Sequence, residues 1–255
     1  MTRQAVPYVG TLSAYELGRR VHRGLPSSTI SITIPEADPV EIAWLGRTGP
    51  PGRFHAAVAG LHLDAAELRQ EGYGRGVWVT LSPLGAAALL GVPAAELSGR
   101  VVELADVAPA LADLPERLAG RRSWPERRAL VEDALLAGWA RHEARAGDRD
   151  LRVVLAALSG TDRVRETAGL LGCSRRYLSA TVRAALGVTP KEYQRLVRFE
   201  AARGRLVAAA RSGAVSLAEV AATAGFADQA HFTREWRAMT GCTPVEWLRT
   251  EGPSA

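Results

Sequence analysis

The clearest pattern of apolar and polar positions lies near the C-terminal end, on both sides of Gly225. Apolar residues recur at helical spacing from Leu217 to Ala224 and again from Phe232 to Met239. A serine or an aspartate stands where each helix would need an N-cap, and Gly225 supplies the positive φ of a tight turn. The pattern therefore predicts a helix-turn-helix unit over about residues 216–240.

The same pattern occurs earlier in the chain, from Val164 through Gly172 to Leu186. The two copies are 53 residues apart before the turn and 54 after it, so the second turn is one residue longer. Each copy is followed by Thr-Pro-x-Glu, in which the threonine is an N-cap and the proline occupies the first helical position. The repeat predicts an earlier helix-turn-helix unit over about residues 162–186.

The segment from Lys191 to about Ala210 predicts one long helix between the units. About 20 residues at the helical rise span about 30 Å, and one turn of B-DNA is about 34 Å. A rigid helix of that length would set two recognition helices into adjacent major grooves, so that one chain reads a bipartite site in double-stranded DNA. The alternative is a compact helical bundle in which this helix belongs only to the core.

The second helix of each unit has an outward side that is basic and rich in hydrogen-bonding groups. Arg and Gln present paired donors to purine edges in the major groove, and further Arg hold phosphates. The alternative is an ordinary solvated face of an amphipathic helix. The outward residues predicted to contact DNA are Arg175, Arg176, Ser179, Arg183, Gln229, Thr233, Arg234 and Arg237.

The repeat resembles the C-terminal domain of AraC/XylS-type transcription regulators over roughly Leu151 to Arg249. The second unit carries most of the resemblance, with Ser216-Leu-Ala-Glu-Val-Ala-Ala-Thr-Ala-Gly-Phe-Ala-Asp-Gln-Ala-His-Phe-Thr-Arg-Glu-Trp-Arg and then Gly241-Cys-Thr-Pro. The resemblance implies a bacterial, sequence-specific DNA-binding transcription regulator. By position it implies these base-facing residues: Arg175, Arg176, Ser179, Gln229, Ala230, Thr233 and Arg234.

Two departures from the family pattern concern the first unit. Ala180 stands where the family usually has Arg, and Val182 stands where it usually has Phe. The first recognition helix is therefore expected to contribute less sequence discrimination than the second.

The charge distribution agrees with a DNA-binding C-terminal region. From residue 151 onward the chain has 15 Lys and Arg against 9 Asp and Glu, and the remainder has 17 against 18. The whole positive excess lies in the helical repeat, as a phosphate-binding surface requires.

Residues 1 to about 105 predict short strands joined by turns. Thr29–Pro35 and Val40–Trp44 alternate with period two, and Phe54–Leu63 and Gly76–Leu81 are apolar enough for strands. Helices are predicted at Pro83–Leu90, from Val92 onward, and from the candidate cap Asp106 to about Leu118. The predicted fold class is α+β: a small mixed β-sheet or barrel-like N-terminal domain with helices, followed by an all-α C-terminal domain of two helix-turn-helix units joined by a long helix.

We predict a sensor or dimerisation domain over residues 1–120, a helical linker over 121–150 and a DNA-binding domain over 151–255. The run from Val79 to Leu97 resembles the N-terminal sensor region of one subgroup of these regulators. The family resemblance as a whole implies a small-molecule effector and a homodimer, with RNA polymerase as a partner if the protein is an activator. Four aromatic residues either line an effector pocket or fill the core of the sheet: Trp44, Phe54, Tyr73 and Trp78.

Nothing in the sequence predicts catalysis or a bound metal or cofactor. His55 and His62 are seven residues apart and lack the His-x-His spacing of cupin metal sites, and there is no glycine-rich phosphate loop or nucleophile elbow. No apolar run approaches the ~20 residues of a membrane span, so a cytoplasmic, non-enzymatic protein without a membrane partner is expected. The alternatives are an enzyme or a non-specific architectural protein that carries a helix-turn-helix domain.

Overall fold

A computed structural model describes residue 6 and residues 8–17, 21–46, 50–70, 74–142, 149–161 and 163–251. Two antiparallel sheets form the N-terminal part, and the remainder is helical. The strands are β1 (Val9–Leu17), β2 (His22–Gly24), β3 (Ile30–Pro35), β4 (Val40–Trp44), β5 (Gly52–Phe54), β6 (Ala57–Ala59), β7 (Ala66–Arg69), β8 (Gly74–Leu81) and β9 (Val101–Glu103).

The first sheet has the order β1-β8-β3-β6-β9 and the second has the order β2-β7-β4-β5. Every pairing between these strands is antiparallel, and the described strands do not close into a barrel. The expectation of a mixed or barrel-like sheet was therefore wrong, because hairpins and long antiparallel returns connect the strands. The α+β class itself is confirmed.

The alternation in β3 decides which way the first sheet faces. Ile30, Ile32 and Ile34 are buried, whereas Ser31 and Thr33 point to the opposite side, towards the second sheet. The isoleucine side belongs to a core that also contains Leu89 and Val131 of the following helices. The molecule thus stacks helices, the first sheet and the second sheet, with the more polar face of the first sheet turned towards the second.

The helices that follow β8 along the chain are short until residue 124. They are α1 (Pro83–Gly85), continued by a π-helical turn at Ala86–Leu90, then α2 (Ala94–Leu97), α3 (Leu104–Val107), a 3₁₀ turn at Pro109–Leu111, α4 (Leu114–Ala119) and α5 (Trp124–His142). The prediction of one helix from Asp106 to Leu118 was wrong. Two prolines interrupt it, at Pro109 and Pro115, and each lacks the N–H that a continuous helix needs.

The predicted strand from Phe54 to Leu63 is also divided. It ends at Phe54, resumes over Ala57–Ala59 and then makes an isolated bridge at His62. The break allows residues 52–54 to pair with β4 of the second sheet and residues 57–59 to pair with β3 of the first. One apolar run therefore crosses between the sheets.

The described residues of the C-terminal part form seven helices: α6 (Arg149–Ser159), α7 (Val164–Leu170), α8 (Arg175–Leu186), α9 (Pro190–Arg211), α10 (Leu217–Thr223), α11 (Gln229–Thr240) and α12 (Pro244–Glu251). α7 with α8 and α10 with α11 form the two predicted units, and α9 is the predicted connecting helix. The turn glycines have the expected positive φ, 62° at Gly172 and 78° at Gly225. Local sequence determined these elements well, because caps and turns act over a few residues.

Candidate nucleic-acid interface and effector cavity

The first recognition helix, α8, buries one stripe and exposes the opposite side. The side chain of Ser174 accepts a hydrogen bond from the Tyr177 N–H at 3.1 Å and so caps the helix. Leu178, Val182 and Leu186 are at most 1% exposed, which fixes the rotation of the helix. The predicted contact residues are then placed as follows: Arg175, Arg176 and Arg183 are exposed and Ser179 is half-buried.

The second recognition helix, α11, is held in the same way. The carboxylate of Asp228 accepts from the His231 N–H at 2.6 Å. Phe232 and Trp236 are buried in an aromatic cluster with Phe199 and Trp247, with ring centroids 4.8 to 5.7 Å apart. The remaining predicted contact residues face away from this cluster: Gln229, Ala230, Arg234 and Arg237 are exposed and Thr233 is half-buried.

α9 joins the two units without a break, and several contacts anchor its first half. A capping box between Thr189 and Glu192 starts the helix. Its 22 residues span about 33 Å. Arg195 of α9 donates to the Glu235 carboxylate of α11 at 2.6 Å, and the Arg198 guanidinium lies 5.7 Å from the Phe226 ring centroid. α9 therefore holds the second unit through charge and aromatic contacts as well as through the chain.

A cavity of about 140 Å³ lies between the two sheets, and a neighbouring opening of about 290 Å³ shares part of its lining. Trp44 and Trp78 line the cavity, whereas Phe54 packs with Val40 and Ile42 and lies outside the lining. Tyr73 lies outside the described residues. Two of the four aromatic residues predicted for a pocket are thus beside a real cavity, and an effector role stays a prediction for all of them.

The polar groups of the cavity come from both ends of the chain. Arg203, on α9, lines both openings, and within the described ranges no carboxylate lies within ion-pair distance of it. Tyr15 lines the second opening. Burial raises the pKa of its hydroxyl well above the ordinary value, so the group stays neutral. The Tyr15 hydroxyl makes no hydrogen bond of ordinary geometry among the described residues, although Gln70 lies beside it.

His62 forms part of the cavity wall and is 7% exposed. Its Nδ1 lies 2.7 Å from the Gly60 carbonyl oxygen and its Nε2 lies 3.1 Å from the Leu25 carbonyl oxygen. Only the doubly protonated imidazole can donate to both carbonyls. That form would put a positive charge in the cavity wall, which also contains the positively charged Arg203.

The N-terminal part contacts the connecting helix α9 and the last helix, α12. Glu200 of α9 accepts hydrogen bonds from the Ser27 hydroxyl at 3.0 Å and from the Ser28 N–H at 2.9 Å. Ser27 also lines the cavity. The ring of His22 lies 3.1 Å from the carboxylate of Glu251 in α12. Ser27 therefore links the cavity lining to the connecting helix α9.

The turn after each recognition helix meets the N-terminal part differently. Gly187 and Gly241 end α8 and α11 with φ of 73° and 75°. A Cβ atom at Gly187 would lie 2.6 Å from the Ser98 Cβ, whereas the nearest atom to one at Gly241 is Leu45 Cδ1 at 3.9 Å. The turn after α8 is therefore packed tightly against the residue that follows α2, whereas the turn after α11 leaves room for a Cβ atom at Gly241.

Sequence reasoning missed Arg203, Glu200 and Tyr177. Arg203 and Glu200 lie on α9, which the sequence predicts only as a connecting helix. No local sequence pattern shows that a sheet distant in sequence packs over this helix. Tyr177 is 64% exposed on α8, and counting 100° per residue around the helix would have found it.

In the part of the chain that the structure describes, no group of three or more His, Cys, Asp or Glu side chains could hold a metal ion. No helix in the described ranges is long and apolar enough to cross a membrane.

Comparisons with known proteins agree with this geometry. Residues 167–250 match the family model described as "Helix-turn-helix domain", which is of the AraC type and confirms the resemblance of the C-terminal region. No curated protein matches the chain.

Solved structures with the same overall fold include ToxT from Vibrio cholerae. One has a TM-score of 0.56 at 12% identity and covers 94% of this chain and 97% of that one. A second, ToxT bound to an unsaturated fatty acid, has a TM-score of 0.55 at 10% identity and covers 96% and 97%. A third, ToxT bound to (E)-4-(8-methylnaphthalen-1-yl)but-3-enoic acid, has a TM-score of 0.55 at 13% identity and covers 94% and 98%. At these identities the likeness establishes the fold.

Proposed function

We propose that this chain is a sequence-specific, DNA-binding transcription regulator controlled by a small molecule that binds between its two sheets. The observation that carries the proposal is the repeated unit. Two recognition helices, each capped and each with a basic exposed side, precede and follow one 22-residue helix along the chain. Their arginines supply phosphate contacts and base-edge donors, and a single chain carries both.

The proposed binding mode gives each part of the site a separate role. Phosphate contacts by exposed arginines supply affinity that weakens with salt, because bound counterions are released. Base contacts supply discrimination, and α11 contributes more of it than α8, since Ala180 replaces an arginine of the family pattern. Exchanging one half of the bound DNA site for scrambled sequence should therefore cost more affinity at the α11 half than at the α8 half.

The proposed effector is an apolar carboxylic acid. ToxT binds an unsaturated fatty acid and a naphthalenyl butenoic acid in the related structures, and both compounds are carboxylic acids. In this chain Arg203, without an acidic partner in the described ranges, would hold the carboxylate, and Trp44, Trp78 and Leu68 would cover the apolar part. The ligand would contact Ser27, whose hydroxyl donates to Glu200, so occupancy would alter the docking of α9.

The experiment that tests the proposal measures binding of the full chain to DNA from upstream of its own gene and to random DNA of equal length, over a salt series. A regulator retains a preference for the upstream fragment as salt weakens both affinities. An architectural protein binds both equally at every salt concentration. If the chain binds the two DNA fragments equally, both with fatty acid in the buffer and without it, the proposed function is refuted.

A further inference from the structure

The hydroxyl groups that line the cavity between the sheets are of two kinds. The serine and threonine residues of the lining are Ser27, Thr29, Ser31, Thr33 and Thr80. Three of them already make hydrogen bonds within the protein. The Ser27 and Thr29 hydroxyls lie 2.8 Å apart, and Thr80 Oγ1 accepts from the Thr11 N–H at 2.8 Å. The hydroxyls of Ser31 and Thr33 have no hydrogen-bond partner among the described residues.

Both of these free hydroxyls lie on one face of β3, the central strand of the first sheet. β3 pairs with β8 on one side and with β6 on the other. Ser31 and Thr33 are two residues apart, so their side chains point the same way and their Cα atoms are about 7 Å apart. Both residues are half-buried. They are therefore a pair of polar groups that the sheet holds in place and turns towards the cavity.

The opposite wall of the cavity is apolar. The second sheet contributes Ile42 and Trp44 of β4 together with Ala66 and Leu68 of β7. Apart from the indole N–H of Trp44, these side chains carry no hydrogen-bonding group. A molecule between the sheets thus meets free hydroxyl groups on one side and hydrocarbon on the other.

A plain hydrocarbon chain does not match the β3 wall. It would separate the Ser31 and Thr33 hydroxyls from water without giving them a partner, and an unsatisfied hydroxyl is costly. A hydroxyl group on the ligand removes this cost, because the hydroxyls of serine and threonine both donate and accept hydrogen bonds. Among the described residues Arg203 lines the cavity and no carboxylate does, which favours an acid over a cationic ligand.

From this arrangement we infer that the cavity selects a hydroxylated apolar acid, and that Ser31 and Thr33 recognise its hydroxyl group. The carboxylate lies at Arg203, the apolar side of the ligand packs on Ile42 and Leu68, and the hydroxyl group faces β3. The inference rests on the proposed function and narrows its effector from an apolar acid to one that carries a hydroxyl group.

The lining also predicts where along the ligand the hydroxyl group lies. Thr33 and Arg203 line both the cavity and the neighbouring opening, whereas Ser31 lines the cavity alone. With the carboxylate at Arg203, a hydroxyl group close to the carboxylate reaches Thr33, and one further along the chain reaches Ser31. The two residues therefore select different positional isomers.

The test measures binding of decanoate and of its monohydroxylated positional isomers to the full chain by calorimetric titration. The wild type should bind at least one hydroxydecanoate about five- to tenfold more tightly than decanoate, as expected for one hydrogen bond between neutral groups. Thr33→Val keeps the branched side chain and removes the hydroxyl. This variant should lose the preference for isomers hydroxylated close to the carboxylate, and it should bind decanoate at least as tightly as the wild type does.

Two further variants complete the series. Ser31→Ala should lose the preference for isomers that are hydroxylated further along the chain. Thr11→Val, on β1 of the same sheet and outside the lining, is the matched control and should keep the wild-type order of affinities. Circular dichroism of each variant before titration separates a change in selectivity from a loss of folding.

Two results would overturn the inference alone. If the wild type binds decanoate as tightly as every hydroxylated isomer, the cavity does not select a hydroxyl group. If one isomer is preferred but Thr33→Val and Ser31→Ala both retain that preference, other groups make the contact. Failure of the proposed effector class gives a different result, because then neither decanoate nor any of its isomers binds.

Discussion

Glu200 of the connecting helix accepts a hydrogen bond from the Ser28 hydroxyl at 2.5 Å and another from the Ser28 N–H at 2.9 Å. The two residues are 172 positions apart in the sequence. Ser27, the neighbour of Ser28, lines the cavity between the sheets and also donates to Glu200. This cluster connects the proposed effector site to the helix that joins the two helix-turn-helix units.

Removing the Glu200 carboxylate should destabilise the docked arrangement. Glu200→Ala leaves the Ser27 and Ser28 donors without their acceptor, and an unsatisfied partly buried donor costs about 1–3 kcal/mol. We expect a lower urea midpoint than for Glu67→Ala, whose carboxylate pairs with Arg69 on the surface and is worth little. Equal midpoints for the two variants would mean that the cluster contributes nothing to docking.

The two turn glycines offer a matched pair for measuring the packing of the first unit. An alanine at either position costs about 1–2 kcal/mol for its left-handed conformation. Gly187→Ala should cost clearly more, because its Cβ would also meet Ser98 and the Ala95 carbonyl oxygen. Gly241→Ala should show only the conformational cost. Denaturant titration of both variants measures the difference in stability. Equal losses of stability would show that the residues around Ser98 move aside without an energetic cost.

Arg234→Ala should reduce discrimination more than affinity for random DNA. Arg234 lies opposite the buried Phe232 and Trp236 on α11, and we propose that its paired donors read a purine edge. We expect a loss of about 1–3 kcal/mol in specific binding. Arg117→Ala removes the same charge from α4 of the N-terminal part and is the control. A uniform loss on specific and random DNA would assign Arg234 to a phosphate instead.

Arg203→Gln should weaken binding of apolar acids without weakening DNA binding. A charged hydrogen bond is worth about 1.5–3 kcal/mol, so the affinity for a fatty acid should fall by about tenfold or more. Arg205→Gln, on the same helix but outside the cavity lining, should leave it unchanged. Thermal shifts with a series from hexanoate to palmitate, and with the corresponding alcohols, provide the measurement. Alcohols that stabilise the wild type as strongly as the acids would contradict a carboxylate site.

The alkaline limit of stability should be set by tyrosines. The chain has a single lysine, Lys191, and burial raises the pKa of Tyr15 and of Tyr193 above the ordinary value of 10.0. The unfolded chain then loses these protons first, so stability is complete below about pH 10 and falls as the pH rises above it. Tyr15→Phe and Tyr193→Phe should each flatten the fall between about pH 10 and 11.5. The exposed Tyr177→Phe should not, and a flattening by Tyr177→Phe of equal size would refute burial as the cause.

The sequence alone determined the two helix-turn-helix units almost completely. A cap, a glycine turn and an apolar stripe act over four to eight residues, and the second copy repeated each signal. The outward side of α8 and α11 followed from the same periodicity, because burying Leu178 or Phe232 fixes which residues face away. Tyr177 was within reach of that reasoning, although the family pattern directed attention to its neighbours.

The N-terminal sheets were decided by tertiary structure. β1 pairs with β8, so that Val9 lies opposite Leu81, and no local pattern specifies a partner 72 residues away. The alternation in β3 distinguishes two faces of the strand but does not show what each face packs against. In the structure the isoleucines pack against helices, and Ser31 and Thr33 line the cavity. Arg203 and Glu200 acquire their roles only when those sheets dock on α9. A helix carries its hydrogen bonds within its own segment, whereas a sheet and an interdomain cavity exist only between segments that the sequence keeps far apart.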